Sequence, residues 1–595
     1  MTFKRLASYF EKIEKTNSRL EITQLLAKLF EDLTSKELEM TIFLLQGRVS
    51  PLYEKIEFGM AEKMVIKAVL LALNLDDKFF MNQYKKIGDL GEAVEYFKKQ
   101  FISFEERDLE IEEVYQSLFE IAKSSGEGSQ DIKIHYLSSL IRQLDPLSCR
   151  YLVRIPIGIL RLGFSDMTIL DALSWMEKGD KSLRDIIESA YHVRPNLGYI
   201  AKIIKERGVS YCKKIAPLVF TPILMMKAER LSSARDILEK IGPCAIESKY
   251  DGFRLQIHYS KEKNKVKIFS RNLEEVSEMY PDIVLGIKNE IKVKNIIFEG
   301  EAIGFNPQTG DFLPFQETVQ RKRKYGIEEK SKEIPLKLFA YEILYLDDSN
   351  LINYPFKERR KALEKVIGQE KDIFQDTILL STQEIVSEEK KIDLLFDDAV
   401  SRGLEGIVAK KLDGVYQAGA RGWNWIKFKR SYSSKIEDTI DCLVMGYDVG
   451  KGKRASFGIG AFLVGVFDED NDLYVTVSKI GTGLSDDEWR LLFKKCQKIK
   501  TKEKPKNYLV DKSMECDVWV LPSLLVEIRA DEITRSPVHT AGRKMKKTKT
   551  GQSEEVDIPG FALRFPRLER FRDDKNFSEV TSLKELESIY QNQKR

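Results

Sequence analysis

The first third of the chain carries apolar residues at the spacing of an α-helix. From residue 1 to about residue 209, apolar positions recur three and four residues apart, and strand-like alternation is nearly absent. The clearest stretches are residues 20–33, 60–75, 137–144 and 168–175. The pattern predicts an all-α region. Taken alone, it is typical of a helical scaffold or a protein-interaction domain.

The pattern changes near Pro217, where short apolar strands begin. The apolar run at residues 244–246 predicts a buried strand, which turns at residues 251–252 into a second strand over residues 253–259. Residues 337–348 alternate like a central strand, which would place on one side Phe339, Tyr341, Ile343 and Tyr345. We expect an α+β domain here.

From about residue 431 onwards, short strands alternate with glycine-rich turns. Examples are DCLVMGYDVGKGKR at residues 441–454 and FGIGAFLVGVFDED at residues 457–470. Such a pattern is typical of a small antiparallel barrel. The sequence therefore predicts three domains, at residues 1–215, 216–430 and 431–595.

Length and composition narrow the class of protein. A chain of 595 residues is too long for one core, and 43% hydrophobic with 32% charged residues is typical of a globular protein. The first residues mix both charge signs, and the longest apolar runs, such as residues 218–226, are shorter than the roughly 20 residues of a membrane span. We expect a cytoplasmic protein that does not contact membranes.

Cysteine and histidine usage argues against metal sites built from these residues. The six cysteines include no CxxC pair, so structural zinc is not expected, and disulfides are not expected inside a cell. The four histidines are scattered and are interpreted as structural or surface residues. The net charge of +4 says little, because nucleic-acid binding depends on local basic patches.

The octapeptide ESKYDGFR at residues 247–254 has the composition that covalent nucleotide transfer needs. The amine of Lys249 would attack phosphorus, and partial burial beside other cations would lower its pKa and free the amine. Gly252 would let backbone approach a nucleotide, and Arg254 would orient a phosphate or ribose. An ordinary β-hairpin with Lys249 and Arg254 on its solvent-exposed face would have a similar sequence.

Further charged residues stand at strand ends downstream. Glu301, in EGEAIGF, would bind hydrated magnesium or ribose hydroxyls, or else be a solvated hairpin acid. Lys427 and Lys429, two apart on a predicted strand, point to the same face, which favours a bound anion such as triphosphate. The basic stretch at residues 314–326 is a candidate contact along the DNA backbone or between domains, or else an exposed helix face. The predicted loop RKMKKTK at residues 543–549 is a candidate DNA contact.

The order of these motifs resembles ATP-dependent DNA ligases of the archaeal and eukaryotic replicative type, which belong to the lysine-adenylating nucleotidyltransferases. The shared motifs are KYDGFR, FSRN, EGEAIGF, KLFAYEILYLDD, EGIVAKK, WIKFKR and RFRDDK. One departure is Tyr341-Glu342, where the family has phenylalanine and aspartate. Stacking on a purine would survive that change.

The resemblance implies a helical DNA-binding domain, an adenylation domain and an OB-fold domain. It also implies roles for individual residues. Lys249 would be the nucleophile, and Glu301 and Glu405 would bind metal. Lys410 is a lesser candidate for a role at the same site. Arg154 and Arg161 would contact DNA. The nucleotide contacts would come from Glu247, Arg254, Arg271, Glu301, Tyr341, Arg421, Lys427, Lys429, Arg572 and Lys575.

The implied reaction seals nicks in duplex DNA through lysine-AMP and DNA-adenylate, with Mg²⁺ or, in its place, Mn²⁺. ATP would be the nucleotide, while ADP and NAD⁺ stay open. The protein would act as a monomer, and the sliding clamp is a candidate partner through residues 99–104. The alternatives are an RNA ligase, a capping-type guanylyltransferase and a noncatalytic DNA-binding scaffold. The long helical region ahead of Lys249 speaks against the first two.

Overall fold

The computed structural model describes residues 1–100, 106–313, 315–323, 325–402, 404–429, 439–450, 457–547, 554–575 and 579–592. Contacts divide the chain into two compact units, Met1–Phe428 and Lys429–Arg595. The predicted clamp-binding segment lies partly outside the described residues, and the predicted domain boundary at residues 430–431 lies wholly outside them. None of the helices in the described ranges is both long and apolar enough to cross a membrane.

The first part of the Met1–Phe428 unit is helical, as the sequence predicts. Its helices surround one apolar core, to which almost every helix contributes buried residues. The helices are α1 (Phe3–Glu14), α2 (Arg19–Asp32), α3 (Ser35–Leu45), α4 (Glu62–Leu73), α5 (Asp77–Ile87), α6 (Leu90–Gln100), α7 (Ile111–Lys123), α8 (Ser129–Gln143), α9 (Pro146–Arg154), α10 (Asp166–Lys178), α11 (Arg184–Val193) and α12 (Leu197–Arg207).

Local sequence explains where these helices start and how they pack. Thr34 and Glu37 form a reciprocal capping box at the start of α3, and Pro146 occupies the first turn of α9 after the Asp145 cap. Helices α6 and α9 touch at Gly91, where an added Cβ would lie 2.6 Å from the Arg150 carbonyl oxygen. Only glycine allows this approach.

The second part of the Met1–Phe428 unit is α+β, with two sheets. One sheet has the strand order β1-β11-β10-β2-β9, and the other has the order β4-β3-β5-β6-β7 with β8 beside β6. The strands are β1 (Lys227–Arg230), β2 (Cys244–Lys249), β3 (Phe253–Ser260), β4 (Lys265–Ser270), β5 (Asn295–Gly304), β6 (Leu336–Leu346), β7 (Ser349–Asn350), β8 (Ile378–Leu380), β9 (Gln383–Val386), β10 (Gly406–Lys411) and β11 (Arg421–Lys429). The helices are α13 (Ala234–Ile241), α14 (Pro281–Glu290), α15 (Phe315–Thr318), α16 (Ile327–Glu333), α17 (Phe356–Ile367) and α18 (Glu389–Ser401).

Strand β6 confirms the predicted central strand but breaks its alternation. In the β5–β6 pairing, Glu299 faces Glu342 and Gly300 faces Ala340, so Tyr341 is an extra residue, and Leu344 is a second one. Each bulge shifts the phase of the side chains. The prediction that Ile343 shares a side with Tyr341 was therefore wrong, because Ile343 packs in the same apolar cluster as Ala340.

The Lys429–Arg595 unit is β-rich, with a curled sheet consistent with an OB fold. Its main sheet runs β15-β17-β12-β13-β14-β16, with β18 pairing both β12 and β23. The strands are β12 (Ile440–Val449), β13 (Ile459–Asp468), β14 (Leu473–Ile480), β15 (Lys500–Thr501), β16 (Tyr508–Leu509), β17 (Val518–Val520), β18 (Leu525–Arg529), β19 (Glu532–Ser536), β20 (Lys544–Lys547), β21 (Glu554–Ile558), β22 (Gly560–Arg564) and β23 (Arg567–Phe571), and the helices are α19 (Asp486–Lys498) and α20 (Leu583–Asn592).

Two basic stretches differ from what the sequence suggested. RKMKKTK is not simply a loop, because Lys544–Lys547 pairs as a strand with β21, whose Asp557 lies 3.3 Å from Lys546. In the stretch at residues 314–326, Arg321 is 1% exposed and donates at 2.8 Å to both Asp282 oxygens. Arg321 therefore holds the fold together rather than facing solvent.

Candidate active site

Lys249 ends β2, and the sheet places a carboxylate beside its amine. In the antiparallel pairing of β2 with β10, Lys249 is opposite Gly406, so the preceding residue, Glu405, lies next to it. The Lys249 Nζ is 2.6 Å from Glu405 Oε2, and both side chains are half-buried. The predicted strand, turn and second strand around Lys249 are confirmed.

The charges around Lys249 raise its pKa. Burial acts to lower the pKa, but the negative charges of Glu405, Glu301 and Asp251 outweigh burial. The expectation of a lowered pKa was wrong in sign, because the side chains around the amine are mainly carboxylates and not cations. Burial raises the pKa of Glu301 to about 7, with Glu405 adding to the shift and Lys249 opposing it.

Strands β3 and β5 set Glu301 opposite Arg254. Gly252, in the turn before β3, packs on β5 so closely that an added Cβ would lie 2.2 Å from the Ala302 carbonyl oxygen. The contact with β5 is one structural reason for this glycine, and approach of its backbone to a nucleotide stays a prediction. The turn thereby brings Lys249, Glu301 and Arg254 to one place.

Arg254 is held by two hydrogen bonds, and its Nε–H donor is not used by either of them. Its Nη1 donates to the Met226 carbonyl at 2.7 Å and its Nη2 donates to Glu299 at 2.8 Å. The guanidinium lies 5.4 Å from the ring centre of Trp425. Its Nε is buried and has no hydrogen-bond partner among the described residues. An unpaired buried N–H beside Lys249 suits an acceptor from a bound ligand.

Glu247 is buried among donors. Lys410 Nζ lies 2.8 Å from its Oε2, while Gln383 Nε2 donates to Oε1 at 3.0 Å and Arg360 Nη1 approaches Oε1 at 3.5 Å. A carboxylate has about four acceptor positions, so roughly one is left for a ligand. Burial lowers the pKa of Lys410, although the charge of Glu247 opposes that shift.

Tyr341 stands at the β6 bulge, half-buried, between the two sheets. Lys410 donates to its carbonyl at 2.7 Å, and the Lys410 Nζ lies 4.9 Å from the ring centre. Trp425 meets the ring edge to face with centroids 6.1 Å apart. The bulge thus positions an aromatic ring within the same cluster as Arg254 and Glu247.

Four further predicted nucleotide contacts follow β4 or lie on β11. Arg271 is exposed in the turn after β4, and Arg421 is exposed at the start of β11. Lys427 and Lys429 are half-buried and alternate with the buried Ile426 and Phe428, as the predicted strand requires.

Helix α17 contributes to the candidate site two arginines that the sequence interpretation missed. Arg359 donates to both oxygens of Glu342, at 2.8 and 2.9 Å, and both side chains are fully buried. Arg360 approaches Glu247 and donates to Ser381 at 3.0 and 2.9 Å. The only signal was a pair of arginines within FKERRKAL, on a helix whose Phe356, Leu363 and Ile367 are buried.

In the Lys429–Arg595 unit, Arg572 and Lys575 share one carboxylate. Arg572 Nη1 donates to the Asp441 oxygens at 3.0 and 3.2 Å, and Lys575 Nζ donates to Asp441 at 2.7 Å. Arg572 also pairs with Glu527 at 3.4 Å and Asp574 at 2.8 Å. The two predicted phosphate-binding cations are therefore gathered at one point of this unit.

The two predicted DNA contacts in the helical region differ in exposure. Arg154 is 1% exposed and pairs with Asp89 at 2.7 Å and Glu14 at 2.9 Å. Arg161 is 50% exposed and lies 3.0 Å from Asp89. Arg154 thus lies in a buried network, and direct phosphate contact stays a prediction best suited to Arg161.

Comparisons with known proteins match all three regions. Family models match residues 2–174 as "DNA ligase N terminus", residues 225–429 as "ATP dependent DNA ligase domain" and residues 455–575 as "ATP dependent DNA ligase C terminal region". A probable DNA ligase of Dictyoglomus turgidum is 48% identical over 596 residues, covering 100% of this chain and 98% of that protein.

A DNA ligase of Sulfurisphaera tokodaii is 40% identical over 603 residues, covering 99% of this chain and 97% of that protein. Among solved structures, Pmar-Lig_PreS3 matches with a TM-score of 0.53 and 19% identity, covering 95% of this chain and 99% of that one. The structural match supports the fold alone.

Proposed function

The chain belongs to the ATP-dependent DNA ligases, and we propose that it seals nicks with Lys249 as the residue that carries AMP. The protein is an ATP-dependent DNA ligase by its full-length relatives and family models. One observation carries the assignment of Lys249. Its amine is a half-buried primary amine at a strand end, 2.6 Å from a carboxylate, within a cluster that holds Glu301, Arg254 and Tyr341.

In the first step the Lys249 amine attacks the α-phosphorus of ATP. A nitrogen–phosphorus bond forms, the bond from the α-phosphorus to the bridging oxygen breaks, and pyrophosphate leaves. The attacking amine must lose a proton, and Glu405, ion-paired with it at 2.6 Å, is in position to accept the proton. The raised pKa of Lys249 keeps the amine charged until the charges of Glu405 and Glu301 are offset.

The donors beside Lys249 suit magnesium. Glu301 and Glu405 supply carboxylate oxygens, and the described residues include no cluster of three or more typical metal ligands. Mg²⁺ commonly binds through one or two carboxylates and takes its other ligands from water and phosphate. When bound, Mg²⁺ would supply positive charge against the phosphate oxygens. We propose Glu301 and Glu405 as its protein ligands, with Mn²⁺ as a substitute.

Glu247 and Tyr341 are proposed to recognise adenine. Glu247 is held by Lys410, Arg360 and Gln383, so its remaining acceptor would take the purine 6-amino group. A 6-oxo purine would present an oxygen to that same acceptor, and two acceptors repel. Tyr341 would stack on the base. This arrangement favours ATP, or another adenine nucleotide such as ADP or NAD⁺, over GTP.

Phosphate and ribose contacts are assigned to the cations. Arg254 has an unpaired buried Nε for an acceptor, and Arg271, Arg421, Lys427 and Lys429 add positive charge around the cluster. Arg572 and Lys575 are proposed to orient the departing pyrophosphate. Positive charge aimed at oxygens that gain negative charge is where most catalysis in phosphoryl transfer arises.

The later steps transfer AMP to DNA and then close the backbone. A 5′-phosphate oxygen of the nick attacks the AMP phosphorus, the bond to Lys249 breaks, and DNA-adenylate forms. The 3′-hydroxyl then attacks the 5′-phosphorus, a phosphodiester forms and AMP leaves. We propose that the protein acts as a monomer, that residues 1–215, 216–430 and 431–595 are its domains, and that Arg161 contacts the DNA backbone. A sliding-clamp contact through residues 99–104 stays a prediction.

Transfer of labelled AMP tests this assignment. The purified protein is incubated with α-labelled ATP, GTP or NAD⁺ and Mg²⁺, resolved on a denaturing gel and chased with nicked DNA. We expect label from ATP that is absent in Lys249→Ala and that is chased into sealed duplex. Lys371→Ala is the control, because Lys371 pairs with Glu290 and Asp376 and not with the candidate nucleotide-binding residues.

Other outcomes separate the alternatives. Label retained by Lys249→Ala would assign the nucleophile elsewhere. Label from GTP alone would indicate a capping-type enzyme, and ATP label chased only by RNA would indicate an RNA ligase. No label from any nucleotide would favour a noncatalytic scaffold.

A further inference from the structure

Three polar side chains on one face of β3 bind the backbone of the segment that precedes β1. Phe220 N–H donates to His258 Nδ1 at 3.0 Å, and Ile223 N–H donates to Gln256 Oε1 at 2.7 Å. Gln256 Nε2 donates back to the Ile223 carbonyl at 3.0 Å, and Arg254 donates to the Met226 carbonyl. The alternate residues 254, 256 and 258 thus tie residues 220–226 to β3, and we name this segment the connector.

We call these contacts between β3 and the connector the ladder. In its middle, every hydrogen-bonding group of the Gln256 and His258 side chains has a partner. His258 accepts from Phe220 at Nδ1, so its Nε2–H donates to Gln256 Oε1 at 3.0 Å. Gln256 therefore accepts two hydrogen bonds and donates two. Both side chains are 0% exposed. Neither amide nor ring can turn without leaving a buried polar group unpaired, which costs about 1–3 kcal/mol.

Glu299 joins the ladder to Arg254. It lies opposite Gln256 in the β3–β5 pairing and is 0% exposed. Its oxygens accept from Arg254 at 2.8 Å, Gln256 at 3.0 Å and Tyr416 at 2.9 Å. Tyr416 in turn accepts from Met226 N–H at 2.8 Å. The same carboxylate thus positions the guanidinium and, through Tyr416 and Gln256, the connector.

The other side of the connector faces the helical region. Leu224 N–H donates to the carbonyl of His192, in α11, at 2.8 Å, and the Leu224 carbonyl accepts from Gly419 N–H at 2.8 Å. The connector therefore lies between α11 and β3, in contact with both. A shift of α11 relative to β3 must strain one set of these hydrogen bonds.

We propose that Gln256, Glu299 and Tyr416 are positioning residues that fix Arg254 for the nucleotide and make its position depend on the connector. The proposal rests on the proposed role of Arg254 at the nucleotide. Arg254 has two anchors, and one of them, the Met226 carbonyl, belongs to the connector itself. Nucleotide contact at Arg254 is thereby coupled to the chain that leads from the helical region.

The kinetics of Lys249 adenylation test the positioning. Tyr416→Phe removes one hydroxyl and two hydrogen bonds with little change of shape, and Gln256→Met is the stronger variant. We expect the KM for ATP to rise about tenfold with kcat changed less than about twofold, because the loss concerns binding geometry rather than the reacting atoms. Tyr508→Phe is the matched control, since this buried tyrosine donates to the Val520 carbonyl in the other unit.

Hydrogen exchange tests the coupling. Peptides covering residues 216–230 are followed with and without α,β-methylene-ATP, which cannot release pyrophosphate. In the wild type we expect the analogue to slow exchange in the connector about tenfold. In Tyr416→Phe that response is lost, while exchange in α14 and α18 stays as in the wild type. A variant that is merely less stable would exchange faster everywhere.

The outcomes separate this proposal from the function beneath it. Arg254→Met is measured alongside and is expected to raise the KM for ATP. If Arg254→Met raises the KM while Tyr416→Phe and Gln256→Met do not, positioning by the ladder is overturned and the role of Arg254 stands. If Arg254→Met leaves the KM unchanged, both ideas fail. A connector whose exchange ignores the analogue in the wild type overturns the coupling.

Discussion

The pocket around Lys249 and the cluster around Asp441 hold cations against carboxylates in two different ways. In the Met1–Phe428 unit, Arg359 and Glu342 are fully buried, and Lys410 and Glu247 are nearly so. In the Lys429–Arg595 unit, Arg572 and Lys575 pair with Asp441 at the start of β12, where Arg572 is 10% and Lys575 is 29% exposed. Burial makes the first set costly to rearrange, while pairs close to solvent exchange partners at little cost.

This difference in burial suggests different roles for the buried ion pairs and for the ion pairs around Asp441. On the proposed function, the buried pairs would define a fixed shape for a base and a nucleophile. The pairs around Asp441 would keep two long cationic side chains together until a phosphate competes for them. Changes in the pocket should therefore alter what binds, whereas changes at the Asp441 cluster should alter one step of the reaction.

The largest effect is expected from Arg572→Ala. We expect Lys249 adenylation to slow about 100-fold, because one cation that offsets charge on the pyrophosphate is lost. Sealing of DNA that already carries AMP should be unchanged, since no pyrophosphate leaves in that step. Both rates are measured in single turnover. Arg567→Ala serves as the control, because Arg567 lies on β23, which ends just before Arg572, and pairs with Asp531 instead. Equal losses in both steps would contradict the assignment.

Arg360→Gln is expected to weaken the choice between ATP and GTP. The change removes one donor from Glu247 and lets the carboxylate turn, so the ratio of kcat/KM for ATP over GTP should fall about tenfold. Competition between the two labelled nucleotides measures this ratio. Lys361→Gln, the exposed neighbour on α17, should leave the ratio unchanged. An unchanged ratio in Arg360→Gln would remove Arg360 from recognition.

Acid should destabilise both units through buried histidines. Burial lowers the pKa of His258 to about 3 and that of His539 to about 4, below the ordinary value near 6.5. Above pH 6.5 neither the folded nor the unfolded form binds this proton. Below it only the unfolded chain does, so each histidine lowers the free energy of unfolding by up to about 1.4 kcal/mol per pH unit.

Denaturant unfolding at pH 7, 6 and 5 measures this slope. His258→Gln should flatten the slope of the Met1–Phe428 transition and leave the other transition as it was, and His539→Gln should do the reverse. Parallel slopes in wild type and variant would show that each histidine binds its proton equally in the folded and the unfolded chain, so that burial does not lower its pKa.

Asp441→Asn should have the smallest effect. The substitution removes the charge that gathers Arg572 and Lys575, but Arg572 keeps its contacts with Glu527 and Asp574. We expect adenylation to slow about threefold, because partly exposed ion pairs contribute little. A burst assay with labelled ATP resolves a change of this size. A loss as large as that of Arg572→Ala would mean that Asp441 itself takes part in the step.

The sequence predicted the helical region, the strand and turn around Lys249, and the β-rich end, because each depends on local spacing. It did not predict the partners of buried charges. Glu247 is held by residues from α17, β9 and β10, and no local pattern announces such a contact. The predicted direction of the Lys249 pKa shift was wrong for the same reason, since strand pairing brings Glu405 beside Lys249.

Arg154 and Arg360 show a second limit. An arginine on an amphipathic helix gives the same pattern whether it faces DNA, solvent or a buried carboxylate. Likewise, a bulge inserts a residue without any change in composition, so the alternation in β6 was followed past Tyr341 although the side chains change phase there.

The two bulges in β6 also fix the register of the β5–β6 pairing. A regular strand can slide by two residues along its neighbour and keep every side chain on its original face. With Tyr341 and Leu344 inserted, any such slide would set an extra residue against a paired one, so β5 and β6 fit together in one alignment. A refolding chain can therefore pair β5 with β6 in one register only. When that register forms, Tyr341 returns to its native position.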